Sequence, residues 1–322
     1  MTKKHLFAAA LLAVSTACAA QGYPTRPITL VVPGPPGGAT DTLGRALAED
    51  LGKRLGQPVV VDNKPGGGGI IAVQAITRVA PDGYTVLLTH SAPLINTPFL
   101  YANVPYDVRR DLAFVTQLCL AQSVFAVSKS VPAANMQEFL AWAAKNKGQV
   151  SYGSFGVGSF PHLIGAHLNQ VKALDMTHVA YKGEAPMMQD MLAGNIQWAI
   201  GSLTTLGPQI KAGKLRALAV MGERRIKELP DVPTIAEAGI PDPEMRAPAW
   251  LGLMARAGTP PAVLQRLETE ARASIQSPGM RARLDSLALE PIGNSSTDFK
   301  RAFEASEPIM ARLIKMSGAK VE

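Results

Sequence analysis

Two hydrophobic rhythms alternate along the chain. Short apolar runs rich in β-branched residues give way to stretches where an apolar side chain returns every third or fourth position. These are the signatures of buried strands and of the helices that cover them. The first run is Ile28–Val32, and the first helical stripe is Leu43, Leu47, Leu51 and Leu55. Between them, Pro33-Gly34-Pro35-Pro36-Gly37-Gly38 is too rich in proline and glycine for either element and predicts a turn, with Thr40 and Asp41 as N-cap candidates. The rhythm repeats as strand Pro58–Asp62, glycines Gly66–Gly69, helix Ile70–Ala80, turn Pro81-Asp82-Gly83 and strand Tyr84–Thr89, ending at His90-Ser91. Strands alternating with helices predict an α/β fold, each sheet mostly parallel and flanked by helices.

From about Ser123 the pattern restarts. Val124–Val127 predicts a strand, Met136–Lys145 a helix and Val150–Gly153 another strand. Ser154–Pro161 is a second glycine-rich strand-to-helix junction, leading into a helix with His162, Leu163 and Leu168. Further strands are expected at His178–Tyr181, Ile196–Ile200 and Leu215–Met221, with a helix through Met187, Met188, Met191 and Leu192 whose methionines face core. After the irregular Glu228–Gly239, Trp250–Ala255 returns as a strand and Pro260–Ile275 as a helix, followed by a short extended Pro291-Ile292-Gly293. A closing helix from Thr297 turns Phe299, Phe303, Met310 and Leu313 inward, and Pro308 inside it predicts a kink or break.

The chain has 322 residues, 47% of them hydrophobic and 18% charged, which suits a globular protein of two domains. Residues 1–20 read as a secretory signal peptide: Lys3 and Lys4, the apolar Leu6–Val14, then the Ala17-Cys18-Ala19 cleavage region. Cleavage near Ala20 removes two lysines and no acid, so the formal charge falls from +7 to +5. Ser15 stands where a lipoprotein signal has leucine, which argues against lipid anchoring at Cys18. Cys119 is then alone, so no internal disulfide forms. The mild positive excess favours anionic ligands, while no basic run interleaved with aromatics points to nucleic acid.

The candidate chemistry is anion binding. A helix that starts at a glycine turn presents unpaired N–H groups and about half a positive charge. Ala39-Thr40-Asp41 after Gly38 breaks the P-loop pattern, and the glycines lack dinucleotide spacing, so a carboxylate fits better than a nucleotide. Ligands of α/β sheets bind at the carboxyl ends of strands, which brings Gly37–Asp41, Gly66–Gly69 and Ser91 together. A secreted hydrolase using Ser91, Ser154 or His162 is the rival reading, but no G-x-S-x-G elbow or nucleophile–base motif supports it. His90 has no visible acidic or nucleophilic partner motif and reads as a surface or packing residue. His162 and His167 are five apart, off the same-face spacing of a metal pair, and no cofactor motif is present.

PITLVVPGPPGGATD, VDNKPGGGG, APDGYTVLL, YGSFGVGSFPHL, HVAYKG, IKAGKLRALAV and LPDVPTIAEAG, in this order across the mature chain, resemble the Bug-type periplasmic receptors of tripartite tricarboxylate transporters. The resemblance implies a two-lobed type II periplasmic-binding-protein fold whose chain crosses between lobes near Ala121–Ser123 and Met245–Trp250. Lobe 1 would be residues 21–122 with 248–322, and lobe 2 residues 123–247. It further implies a small carboxylate gripped between the lobes and delivered to membrane permease subunits, with no catalysis, by a monomer. One carboxylate would lie on the backbone of Gly38, Ala39, Thr40 and Asp41. Ser91, the Ser154–Ser159 loop with Phe155 and Gly158, His162, Tyr181, Gly201 and Ser202 would complete the pocket. Members that bind amino acids tend to carry an acid where this chain has Gly201, and Phe155 and Phe160 replace smaller residues. The expected ligand is therefore amine-free, aromatic or dicarboxylic.

Overall fold

The structure is a computed structural model that describes residues 22–246, without the side chain of Arg246, and 249–321. The signal-peptide reading of residues 1–20, and residues 247 and 248 of the second crossing, lie outside the described residues.

Strands and helices alternate as the rhythm predicts. In chain order the strands are β1 (Ile28–Val32), β2 (Val59–Asn63), β3 (Thr85–His90), β4 (Leu112–Ala121), β5 (Ser123–Ser128), β6 (Ser151–Ser154), β7 (Thr177–Ala180), β8 (Trp198–Ser202), β9 (Leu215–Val220), β10 (Trp250–Arg256) and β11 (Leu289–Pro291). The longer helices are α1 (Ala39–Leu55), α2 (Ile70–Thr77), α3 (Met136–Lys145), α4 (Phe160–Lys172), α5 (Glu184–Ala193), α6 (Leu203–Lys211), α7 (Pro261–Gln276), α8 (Pro278–Ser286) and α9 (Ser296–Ser317). They build two lobes around two sheets, ordered β11-β4-β10-β3-β1-β2 and β7-β6-β8-β5-β9. The first takes strands from both ends of the chain and the second from the middle. A single residue, Gln122, separates the last first-sheet strand, β4, from β5 of the second.

The sheets are mixed, a correction to the mostly parallel expectation. β1 pairs parallel with β2 and β3, and β6 with β7 and β8, where helical crossovers return the chain in the same direction. β10 runs antiparallel to β3 and β4, β11 to β4, and β5 to β8 and β9. The antiparallel pairings all involve β4, β5 or β10, the strands on which the chain passes between the sheets. The first passage is direct, through Gln122 alone, while the second runs from Val220 to Trp250 through irregular chain and a 3-10 turn at Pro243–Arg246.

Packing follows the apolar stripes. Leu43, Leu47, Leu51 and Leu55 are buried against the first sheet, each contributing about 1.5–3 kcal/mol of transfer free energy. In the second lobe Trp198 stacks between Phe125 and Tyr152, with ring centroids 4.4 and 4.9 Å apart. Pro308 does not break α9, because Phe299, Phe303, Met310 and Leu313 are all buried along one face and hold both halves in place. Phe299 packs edge-on against Trp250 and Phe114. α9 thereby ties the first sheet to α4 of the other lobe.

Candidate functional site

The cleft between the lobes encloses a cavity of about 450 Å³, within the usual range for small-ligand sites. From the first lobe come Ala39 and Thr40 of α1, His90, Ser91 and Ala92 after β3, then Ile95 and Asn96. Ser306 and Met310 of α9 and Ala249 at the second crossing close the floor. The second lobe adds Phe155, Ser159, Phe160 and Glu184. A wider groove of about 750 Å³ runs between α1 and α8 on the outer surface. It lies within one lobe, and four of its charged side chains pair locally, Lys53 with Glu49, Arg45 with Asp41 and Asp50 with Arg54. The cleft is the candidate site.

Two long helices, one from each lobe, start at this cavity without a side-chain cap. α1 begins after Gly38 and α4 after Ser159. Of the helices that start elsewhere, α3, α8 and α9 are capped by Asn135, Ser277 and Ser295, while α2 after Gly69 and α7 after Pro260 are also uncapped. What distinguishes α1 and α4 is that their starts face the cavity from opposite lobes. Uncapped amides at a helix start carry partial positive charge and lack acceptors, so they suit an anion. Among the described residues no lysine or arginine lines the cavity. Burial pushes the His90 imidazole down to about 4 although the residue keeps some surface, so it lines the cavity as a neutral group. The walls beside the amides are apolar: Ile95, Phe155, Phe160 and Met310.

The sequence profile of the tripartite tricarboxylate transporter family receptors matches residues 43–318. The protein BugT of Bordetella pertussis is 33% identical over 311 residues, covering 96% of this chain and 94% of its own. The chain belongs to this receptor family. Among solved structures, the periplasmic binding protein BugD is 31% identical with a TM-score of 0.74, covering 93% of this chain and all of its own. R. palustris Rpa4515, solved with adipate, is 32% identical with a TM-score of 0.79 and the same coverage. Members of this family are solute receptors, so the chain is a receptor and not an enzyme.

Of the residues expected in the receptor's pocket, Ala39, Thr40, Ser91, Phe155 and Ser159 line the cavity. Gly38, Asp41, Ser154, Gly158, His162, Tyr181, Gly201 and Ser202 do not. Gly38, not Thr40 or Asp41, is the N-cap of α1, because Asp41 is turned beneath the first turn to accept from Gly37, Arg45 and Asn63. Gly158 lies under Leu100 of the opposite lobe, and its amide donates to His162 Nδ1 at 3.0 Å. The Tyr181 hydroxyl donates to Asp190 Oδ2 at 2.7 Å, away from the cavity. Ser154 is fully buried, its Oγ 2.7 Å from His178 Nε2 and also bonded to the Gly156 backbone. This pair has the make-up of a Ser–His dyad but lies away from the cavity. Burial, helped by stacked His162, holds the His178 pKa down to about 4, and the hydroxyl does not reach the cavity.

Gly201 corrects the reasoning about the ligand. A Cβ there would meet Leu206 at 2.7 Å, so this position faces the core behind β8 and not the ligand. An acid is present nearby instead. Glu184, at the first position of α5, lines the cavity and is held by Ser202, the neighbour of Gly201. The ground for an amine-free ligand is therefore removed. The sequence signal for Glu184 was its place after Lys182-Gly183, one residue into a helix. His90, read as a surface or packing residue, was marked by its position at the carboxyl end of β3.

Proposed function

We propose that the chain is exported with loss of residues 1–20 and binds one small carboxylate between lobes 21–122 plus 248–322 and 123–247. The loaded protein then passes its ligand to the membrane permease of a tripartite tricarboxylate transporter. The observation that carries this reading is the convergence of two uncapped helix starts, one from each lobe, on a cavity free of described lysine and arginine. A carboxylate there accepts from helix-start amides that no side chain caps, and from both lobes only when they are together. The adipate seen in the R. palustris relative supports a ligand of this size and class. Phe155 and Phe160 support a partly apolar, even aromatic, body.

The test is mass spectrometry of small molecules released when the protein, purified from its host's periplasm, is denatured. One small carboxylic acid per chain is the expected result. Release of only neutral compounds, together with no thermal stabilisation by any acid in a carboxylate panel, would overturn the reading.

A further inference from the structure

The cavity carries a carboxylate of its own. Glu184 Oε1 accepts the Ser202 amide at 3.1 Å and Oε2 accepts the Ser202 hydroxyl at 2.5 Å. Ser202 is itself fixed, since it caps α6 by accepting from the Thr205 amide at 3.2 Å. The Glu184 side chain is thus aimed by two bonds from one residue and sits at the positive start of α5. A carboxylate offers about four acceptor positions, so two bonds leave acceptor capacity on a group that lines the cleft. Phe155 and Phe160 line the same cavity, and their side chains offer no donor and no charge.

We propose that Glu184 makes the second-lobe side of the cleft an acceptor subsite. The receptor then selects carboxylates that also carry a hydrogen-bond donor, an ammonium or a hydroxyl group, and discriminates against plain diacids. The inference rests on the carboxylate-receptor reading and names the ligand class within it. A diacid held by one end on the α1 and α4 amides would bring its second negative charge towards Glu184, in surroundings of low polarity where like charges repel strongly. A donor at the same end would instead complete the unused acceptor positions. An ammonium adds charge neutralisation, and a hydroxyl adds the bond alone. Plain-diacid binding by a relative, as with adipate in R. palustris, would then reflect a different residue environment at this end of the cleft.

The experiment is titration calorimetry on the mature protein with acids matched in length: glutarate against 4-aminobutyrate and 4-hydroxybutyrate, adipate against 5-aminovalerate, and terephthalate against 4-hydroxybenzoate. In the series that fits best, the donor-bearing acid should bind at least tenfold more tightly than the diacid. Glu184→Gln should shrink that ratio at least tenfold, chiefly by admitting the diacid. The amine and hydroxyl arms separate charge neutralisation from simple hydrogen bonding. A diacid that binds wild-type protein as tightly as its donor-bearing partners, or a ratio unchanged in Glu184→Gln, overturns the subsite. Binding of no acid in any series is a different failure, that of the receptor reading itself. Thermal melting of Glu184→Gln checks folding; should it not fold, Glu184→Ala and the wild-type ratio decide.

Discussion

Asp41 is buried beneath the first turn of α1, with 2% of its surface exposed. Arg45 Nε and the Gly37 amide donate to Oδ2 and the Asn63 amide to Oδ1, all at 2.9 Å. The Arg45 bond, opposed by burial and reinforced by the Gly37 and Asn63 bonds, holds its pKa down at about 2. The carboxylate therefore secures the turn that presents Ala39 and Thr40, and does not contact the ligand. A folded pKa below the unfolded value near 3.9 means that its stabilisation is complete above about pH 4 and is lost as pH falls through about 2. Asp41→Asn should cost about 1–3 kcal/mol at neutral pH, because an amide turns a donor toward donors. The gap between the two urea midpoints should close towards pH 2; a gap that stays constant to pH 2 would contradict the assignment. Sequence showed an acid in the first helical turn with an arginine four residues on. Which way the carboxylate turned depended on Asn63, 22 residues away and outside any local pattern.

At the scale of elements, α4 matters most, because it brings the second lobe's amides to the cleft. Its approach depends on Gly158, whose φ of +75° suits glycine and whose absent Cβ makes room for Leu100 of the other lobe, 2.4 Å from where it would lie. The Gly158 carbonyl also accepts from Asn96 Nδ2 at 3.2 Å across the same seam. Gly158→Ala should lower stability by roughly 1–2 kcal/mol through the left-handed backbone. It should also weaken ligand affinity at least tenfold by propping the lobes apart. Calorimetry on the variant checks this, and unchanged affinity would show that the seam plays no part in closure. The glycine-rich junctions before α1 and α4 were plain from sequence, because turn chemistry is local. β4 was not, since Leu112–Ala121 is apolar on both faces and gives no alternation to read. α8 was missed for the opposite reason: only Met280 and Leu284 are buried along it, too few to set a period.

For the whole molecule, closure joins parts distant in sequence. Thr204 at the start of α6 donates to the Leu287 carbonyl at 2.9 Å, and Arg312 of α9 bonds Glu244 at 2.7 Å, just before the second crossing. Two lobes were legible because the strand–helix rhythm restarts after Ser123. The antiparallel strands were not, since strand direction is set by connections rather than by composition. The cavity's floor from Ser306 and Met310 escaped notice likewise, because only the fold brings the last helix under the first glycine loop. The central claim, that a ligand carboxylate rests on the start of α1, is tested most directly by Ala39→Asp. A carboxylate built in at this position suits the helix dipole, so the unliganded variant should melt at or slightly above wild type, by about 0.3–1 kcal/mol. It should also occupy the anion's place. With the acid released from the purified protein at a hundred times its dissociation constant, wild type should gain about 2.7 kcal/mol and Ala39→Asp almost none. A folded Ala39→Asp protein that keeps the full ligand-induced shift would contradict the account.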